Sequence, residues 1–513
     1  MPSFSRRRFL RRLTSAAGGL AFAPSLASSL LAPSRTRPQR RSAPTQVSGR
    51  VVAQGEGLAG VPVTDGQTVV QTDAEGAFSF VASAQQPFVS VSVPSGYRIP
   101  QNDTGTARFY RRLPDNGDTF EASFALEPLD GSDARHAFVV LADPQTQTDA
   151  EMQHFHDETV PSVQATVAAL GEQPVFGVGC GDIMYDDLSL FPEYERAVGR
   201  MDVPFWQVVG NHDLDFDAPT DAGSTATFER HFGPRYYSFD RGDVHYVVLD
   251  DVFWPGSDGF GSATDDYLGY IDAPQLTWLE QDLALVEDGR PVVVFAHIPL
   301  LSTAFRRRGG ETPSARGQVK NRAALYRLLD PFDAHVVAGH VHENEHRFAS
   351  GVHEHVVGTV CGAWWSGPIC YDGTPSGYAV YEVEGETVRW RYQSTGHDAE
   401  HQMRVYPRGA DPAAPDEIVA NVWDADPEWT VVWYEDGIRK GLMARRQGTD
   451  PLSERLHRGA DQPAGRSWVD PLRTDHLYYA PVAAEATDVR VEATDRFGRT
   501  YTASVDPQAA MEQ

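Results

Sequence analysis

Five short segments carry the side chains best suited to hold a cation: Asp143-Pro-Gln145, Gly181-Asp182, Gly210-Asn211-His212-Asp213, Ala296-His297 and Gly339-His340-Val341-His342. Their donors are carboxylate, amide and imidazole groups. That mixture suits Mn, Fe or Zn, and Mg where water fills the remaining positions. Taken singly, each segment is weak. A lone histidine such as His297 is ordinarily a satisfied core residue, and Gly-Asn-His-Asp by itself reads as a turn. The signal lies in the common setting, because each segment follows a short apolar run that reads as a buried strand.

Those runs are Ala137 to Leu141, Val175 to Val178, Pro204 to Val209, Val244 to Leu249, Pro291 to Phe295 and Ala334 to Val337, alternating with helical stretches. The alternation predicts an α/β core, and open α/β folds place ligand sites beyond the carboxyl ends of their strands. The clearest helix is expected over Ala273 to Val286. Asp272 stands as N-cap, Pro274 in the first turn, and Leu276, Leu279, Leu283 and Val286 share one face. Before the core, from Val47 to Val93, period-two runs broken by Gly and Asp indicate a small antiparallel sandwich. After Gly396 the β-pattern returns, as in Thr430 to Tyr434 and Val489 to Ala493, and predicts a second sandwich.

In order and composition the five segments resemble the calcineurin-like metallophosphoesterases, whose pattern runs D-x-H, G-D, G-N-H-[DE], H, G-H-x-H. The resemblance covers about residues 137–397. It implies a four-layer α/β/β/α sandwich flanked by two small β-sandwich domains. It also implies hydrolysis of a phosphomonoester or phosphodiester by in-line attack of hydroxide generated at two divalent cations roughly 3.5–4 Å apart. On the matching positions, Asp182 bridges the two ions. Asp143, Gln145 and His342 complete one site; Asn211, His297 and His340 complete the other. His212 is implied to face the scissile phosphate and to stabilise charge or protonate the leaving group.

Two departures from the pattern matter. Gln145 stands where His is usual, which makes that site looser or more inclined to Mg or Mn; an Asp-Pro-Gln motif marks a branch of the superfamily. Tyr185 stands where the family often has an acid three residues after the bridging Asp. Asp186 and Asp187 follow it, and either can orient His212 from behind or cap a helix. Asp213, next to His212, is a further supporting candidate. Beyond the last motif, Trp364 and Trp365 lie in a Gly-rich loop. They can wall the site against a base, sugar or lipid headgroup, or wedge into the interface with the C-terminal domain.

Residues 5–11, Ser-Arg-Arg-Arg-Phe-Leu-Arg, resemble a twin-arginine export signal. Cleavage is expected after Ala27, with a linker over 28–45, the N-terminal sandwich over 46–130, the catalytic domain over 134–397 and the C-terminal sandwich over 398–508. The expected location is periplasmic, cell-surface or secreted. With 44 Lys and Arg against 71 Asp and Glu, the formal net charge of −27 argues against a nucleic-acid or anionic-membrane partner. No membrane span is expected, the partner is a phosphate-ester substrate, and the chain is expected to be a monomer. Three cysteines make no disulfide framework; Cys361 and Cys370 either bridge or remain buried thiols. The rival reading is a non-catalytic cell-surface or glycan-binding protein with a decayed phosphoesterase core. Against it, Asp182, Asn211 and His212, which decay removes first, are all present.

Overall fold

A computed structural model of the chain describes residues 43–256, 267–458 and 466–508. The expected export signal lies outside them. The central strands, in chain order, are β1 Arg135–Leu141, β2 Val175–Cys180, β3 Phe205–Val208, β4 Tyr237–Arg241, β5 Val244–Val248, β6 Pro291–Phe295, β7 Asp333–Ala338, β8 Glu345–Ala349, β9 Val352–Val356, β10 Gly377–Glu384 and β11 Thr387–Ser394. They form one five-stranded sheet, β3-β2-β1-β10-β11, and one six-stranded sheet, β4-β5-β6-β7-β9-β8. β1, β2 and β3 run parallel, as do β5, β6, β7 and β9. Burial on both faces explains why runs such as Pro-Val-Val-Val-Phe in β6 do not alternate.

The two sheets pack face to face through large aromatic side chains. The Phe138 ring meets Phe295 edge-on at 5.7 Å, and Trp206 stacks on Phe239 at 4.1 Å. Helices cover the outer faces, giving the four-layer α/β/β/α arrangement. The helix expected from Ala273 spans Ala273–Leu283, and the Asp272 side chain accepts the Gln275 amide as its N-cap. It stops three residues short of Val286 because Leu285 and Val286 close tighter turns onto Asp282 and Leu283. Val286 stays buried and still contributes to the apolar face.

Ahead of this core, the strand Thr45–Ala53 alternates buried and exposed side chains within a five-stranded sheet, and a four-stranded sheet lies beside it. Behind it, two four-stranded sheets enclose a core that includes Ile418, Ala420, Tyr478, Val489 and Val491, a sandwich of the expected kind. The last central strand ends at Ser394, and the C-terminal sandwich opens with Arg404–Tyr406. All three cysteines are buried and free, including Cys361 and Cys370. Among the described residues no helix is long and apolar enough to cross a membrane, which says nothing of a β-barrel.

Candidate metal centre

Each sequence motif sits two to four residues beyond the carboxyl end of its strand: Asp143 after β1, Asp182 after β2, Asn211 after β3, His297 after β6, and His340 and His342 after β7. The chain must turn sharply there. Asp143, Gln145, Asp182, His340 and His342 all adopt left-handed backbone, with φ of 47°, 42°, 48°, 73° and 56°. Each such residue costs on the order of 1–3 kcal/mol. Strain concentrated on these five positions aims their side chains at one place.

The glycines of the motifs are explained by close approach. A Cβ on Gly210 would lie 1.9 Å from the Asp182 amide nitrogen, and one on Gly339 would lie 2.3 Å from Asp143 Oδ2. Each of these two aspartates occupies the space that a side chain on the neighbouring motif would need.

Backbone carbonyls set the histidine tautomers. His297 Nδ1 donates to the Cys180 carbonyl at 3.1 Å, His342 Nδ1 to Gly362 at 2.7 Å, and His340 Nε2 to Arg316 at 2.9 Å. The lone pairs on the opposite nitrogens are thereby turned inward. His297 Nε2 lies 3.2 Å from Asp182 Oδ1, 3.3 Å from Asn211 Oδ1 and 3.2 Å from His340 Nδ1. Three donors thus stand 3.2–3.3 Å from His297 Nε2, and the donor atoms of Asp182, His297 and His340 all lie within 4.8 Å of one another, close enough to share one ion. On the other side, Asp143 Oδ1 and His342 Nε2 face each other at 3.5 Å, both buried and neither with a hydrogen-bond partner. Two acceptors left so in a core fit a cation between them. Gln145 presents its Nε2 to Asp182 Oδ2 at 2.7 Å; half a turn of the amide exchanges that nitrogen for the oxygen a metal requires.

Burial opposes charge on His297, yet Asp182, Asp143 and Asp251 push its pKa up to about 10. A cation competes with that proton for the same lone pair. Burial also raises Asp182, but His297 and His212 outweigh it and hold the carboxyl far below the usual range.

His212 stands beside this centre. Its backbone amide donates to Asp182 Oδ1 at 2.8 Å, its Nδ1 donates to Asp186 Oδ1 at 2.6 Å, and its Nε2 lies 3.9 Å from Asp182 Oδ2. The two adjacent acids have separate tasks: Asp186 holds His212, while Asp187 caps the short 3₁₀ turn Leu188–Leu190. Asp213 touches neither the cation ligands' donor atoms nor the His212 ring through any hydrogen bond. It accepts the amides of Ile183, Met184 and Gly210 and so clamps the second motif to the third.

The tryptophans hold the loop around the site. Trp364 stacks on the His342 ring at 4.2 Å and meets Trp468 of the C-terminal region at 4.3 Å; Trp365 donates its indole N–H to the Pro144 carbonyl at 2.9 Å. Sequence reasoning missed two supports. Asp251 accepts the His297 and Ile298 amides, and Arg466 reaches in from the C-terminal region to Glu151 and the Trp364 carbonyl, its guanidinium 5.5 Å from the Tyr185 ring centre. Tyr185 in turn stacks on His212 at 4.5 Å. Asp251 carried the signal of an acid pair closing a strand; an isolated arginine in a loop carried none.

The family model of the calcineurin-like phosphoesterase matches residues 136–344, and the models of its N-terminal and C-terminal companion domains match 45–129 and 354–501. The chain belongs to the calcineurin-like phosphoesterases. Members are metal-dependent hydrolases, and this chain is a phosphoric ester hydrolase of that kind. It is 28% identical over 252 residues to serine/threonine-protein phosphatase CPPED1 of Bos taurus, covering 45% of this chain and 71% of that protein. It is 23% identical over 179 residues to a 3′,5′-cyclic-nucleotide phosphodiesterase of Nostoc, covering 34% of this chain and 58% of the relative. A solved purple acid phosphatase from yellow lupin superposes with a TM-score of 0.33 at 13% identity, over 63% of this chain and 56% of its own.

Proposed function

We propose that this calcineurin-like phosphoesterase is an exported hydrolase that cleaves a phosphomonoester or phosphodiester, with His212 delivering a proton to the departing oxygen. The observation that carries the reading is the pairing of His212 Nδ1 with Asp186 at 2.6 Å, which leaves Nε2 facing the metal-ligand side of the pocket. The ions fit as two sets: Asp143, Gln145, Asp182 and His342 around one, and Asp182, Asn211, His297 and His340 around the other. Two divalent cations bound there supply Lewis-acid polarisation of the phosphoryl oxygens and lower the pKa of water.

The chain's own residues do the rest. Water adds to phosphorus opposite the ester oxygen and gives up one proton to solvent, the P–O ester bond breaks, and the His212 Nε2 proton passes to the leaving oxygen, after which His212 regains a proton from solvent. Asp186 steadies the imidazolium before transfer, and Tyr185 keeps the ring flat against its own face. Export is supported by the arginine-rich segment at residues 5–11 and the small-residue stretch that follows it. The relatives named above include one phosphatase and one cyclic-nucleotide phosphodiesterase, so both ester classes belong in the test. Purified protein given Mn, Mg or Zn should turn over an aryl phosphomonoester or a bis-aryl phosphodiester. No turnover of either ester with any of these metals overturns the proposal.

A further inference from the structure

A second group of histidines lies elsewhere on the six-stranded sheet. His335 on β7 and His353 and His355 on β9 each offer one ring nitrogen, and these three nitrogens lie within 4.8 Å of one another. The strand pattern produces the arrangement. His353 and His355 are two apart and share a face, while His335 is the register partner of His353 across the parallel pair. His346 on β8 is the partner of His355, and its ring centre lies 5.2 Å from those of both His353 and His355. The sequence gives no hint of this, since the four residues match no linear motif.

We propose that His335, His353 and His355 form a separate site for one zinc-class divalent cation, with His346 against it. Imidazole is the ligand such ions take in preference to Mg or Ca. All three residues are buried, at 8%, 7% and 2% exposure. Burial, helped by the Arg496 charge, keeps them neutral, with His335 lowered to about 4, so no ring charge repels an entering ion, and a metal need only replace the one hydrogen bond that His335 and His355 share.

The cluster's own hydrogen bonds leave a residue of unmet demand. His335 Nδ1 pairs with His355 Nε2 at 3.0 Å, and His346 Nδ1 with His353 Nε2 at 3.1 Å. The remaining nitrogen of His355 is buried without a partner. His346 is oriented from behind, its Nε2 donating to Asp424 Oδ1 of the C-terminal region at 3.0 Å. Such a carboxylate behind an imidazole is the support that metal-binding histidines use. An open cleft lined by His335, His353, Phe348, Trp390 and Phe497 gives an entry path. Arg496 lies along it, but its charge is matched by Asp426 and Glu428. His335 precedes His340 by five residues, roughly 16 Å along a strand, so this site is distinct from the phosphoesterase centre. A cation there would tie β7 and β9 to the C-terminal sandwich through His346 and Asp424.

The test uses Co²⁺ as probe on full-length protein in which Asp182→Ala and His297→Ala have emptied the catalytic centre. Chelated and then titrated, this variant should bind one equivalent of cobalt with the visible bands of a nitrogen-ligated tetrahedral ion. Adding His335→Ala and His353→Ala should abolish both. Binding of no cobalt by the first variant overturns the proposal without any change to the cluster. Bands that persist in the second variant also overturn it. Should the second variant misfold, His355→Gln replaces it and must weaken cobalt binding at least tenfold.

Discussion

The Asp186 carboxylate accepts the His212 Nδ1–H at 2.6 Å, and the residue that does so holds a left-handed backbone with φ of 65°. That turn brings the carboxylate under the imidazole. Asp186→Asn should lower kcat roughly 10- to 100-fold, the usual scale for losing such a supporting partner, with KM little changed. Steady-state kinetics check this, and a changed KM with kcat unmoved would show that Asp186 serves only the loop.

Gly339→Ala places a methyl group where Asp143 Oδ2 lies, 2.3 Å from the ideal Cβ, with the Ala142 side chain 3.0 Å away. Because Asp143 also accepts the His340 amide at 2.8 Å, moving it disturbs both metal sites. Calorimetric titration with Mn²⁺ should show affinity reduced at least tenfold while the circular dichroism spectrum is retained.

Gln145→His replaces an amide that must turn its oxygen to the ion with an imidazole, a stronger ligand for borderline ions. The variant should bind Zn²⁺ more tightly than the wild type by about tenfold and shift its metal preference away from Mg²⁺. Competition between the two ions, read by elemental analysis, checks it. An unchanged preference would mean that Gln145 stays bound to Asp182 through its nitrogen.

How much of this was legible in the sequence depends on the kind of contact. Asp143, Asp182, Asn211, His297, His340 and His342 could be found because parallel strands bring their carboxyl ends together, so a linear order of motifs maps onto one site. The division of labour between Asp186 and Asp187 could not, since it is set by a single backbone turn. The histidine cluster was invisible for a related reason: His335 meets His353 and His355 through sheet register, which no spacing along the chain encodes. Trp364 and Trp365 read as site-flanking from the sequence, but their contacts with His342 and Pro144 depend on how the Gly-rich loop folds back.

Away from the centre, His245 lies buried between Asp282 and Asp240, 3.0 Å from each. Burial alone would lower its pKa, but the two carboxylates push it up to about 9. The folded-state value exceeds the ordinary 6.5, so the pairing stabilises fully below about pH 6.5 and is lost as pH rises through about 9. His245→Gln should be destabilised by on the order of a few kcal/mol at pH 6.5. Denaturant midpoints should show the gap from wild type narrowing by pH 9.5; a gap independent of pH would show that His245 acts by packing alone.

The central claim is that Asp182 holds metal while His212 handles the proton, and paired measurement of bound metal and turnover in His212→Ala and Asp182→Ala tests it most directly. His212→Ala should keep the wild-type metal content and lose turnover by about 10²- to 10⁴-fold, whereas Asp182→Ala should lose metal from the catalytic centre and activity with it. Loss of that metal in His212→Ala, or full turnover in its presence, would contradict the account.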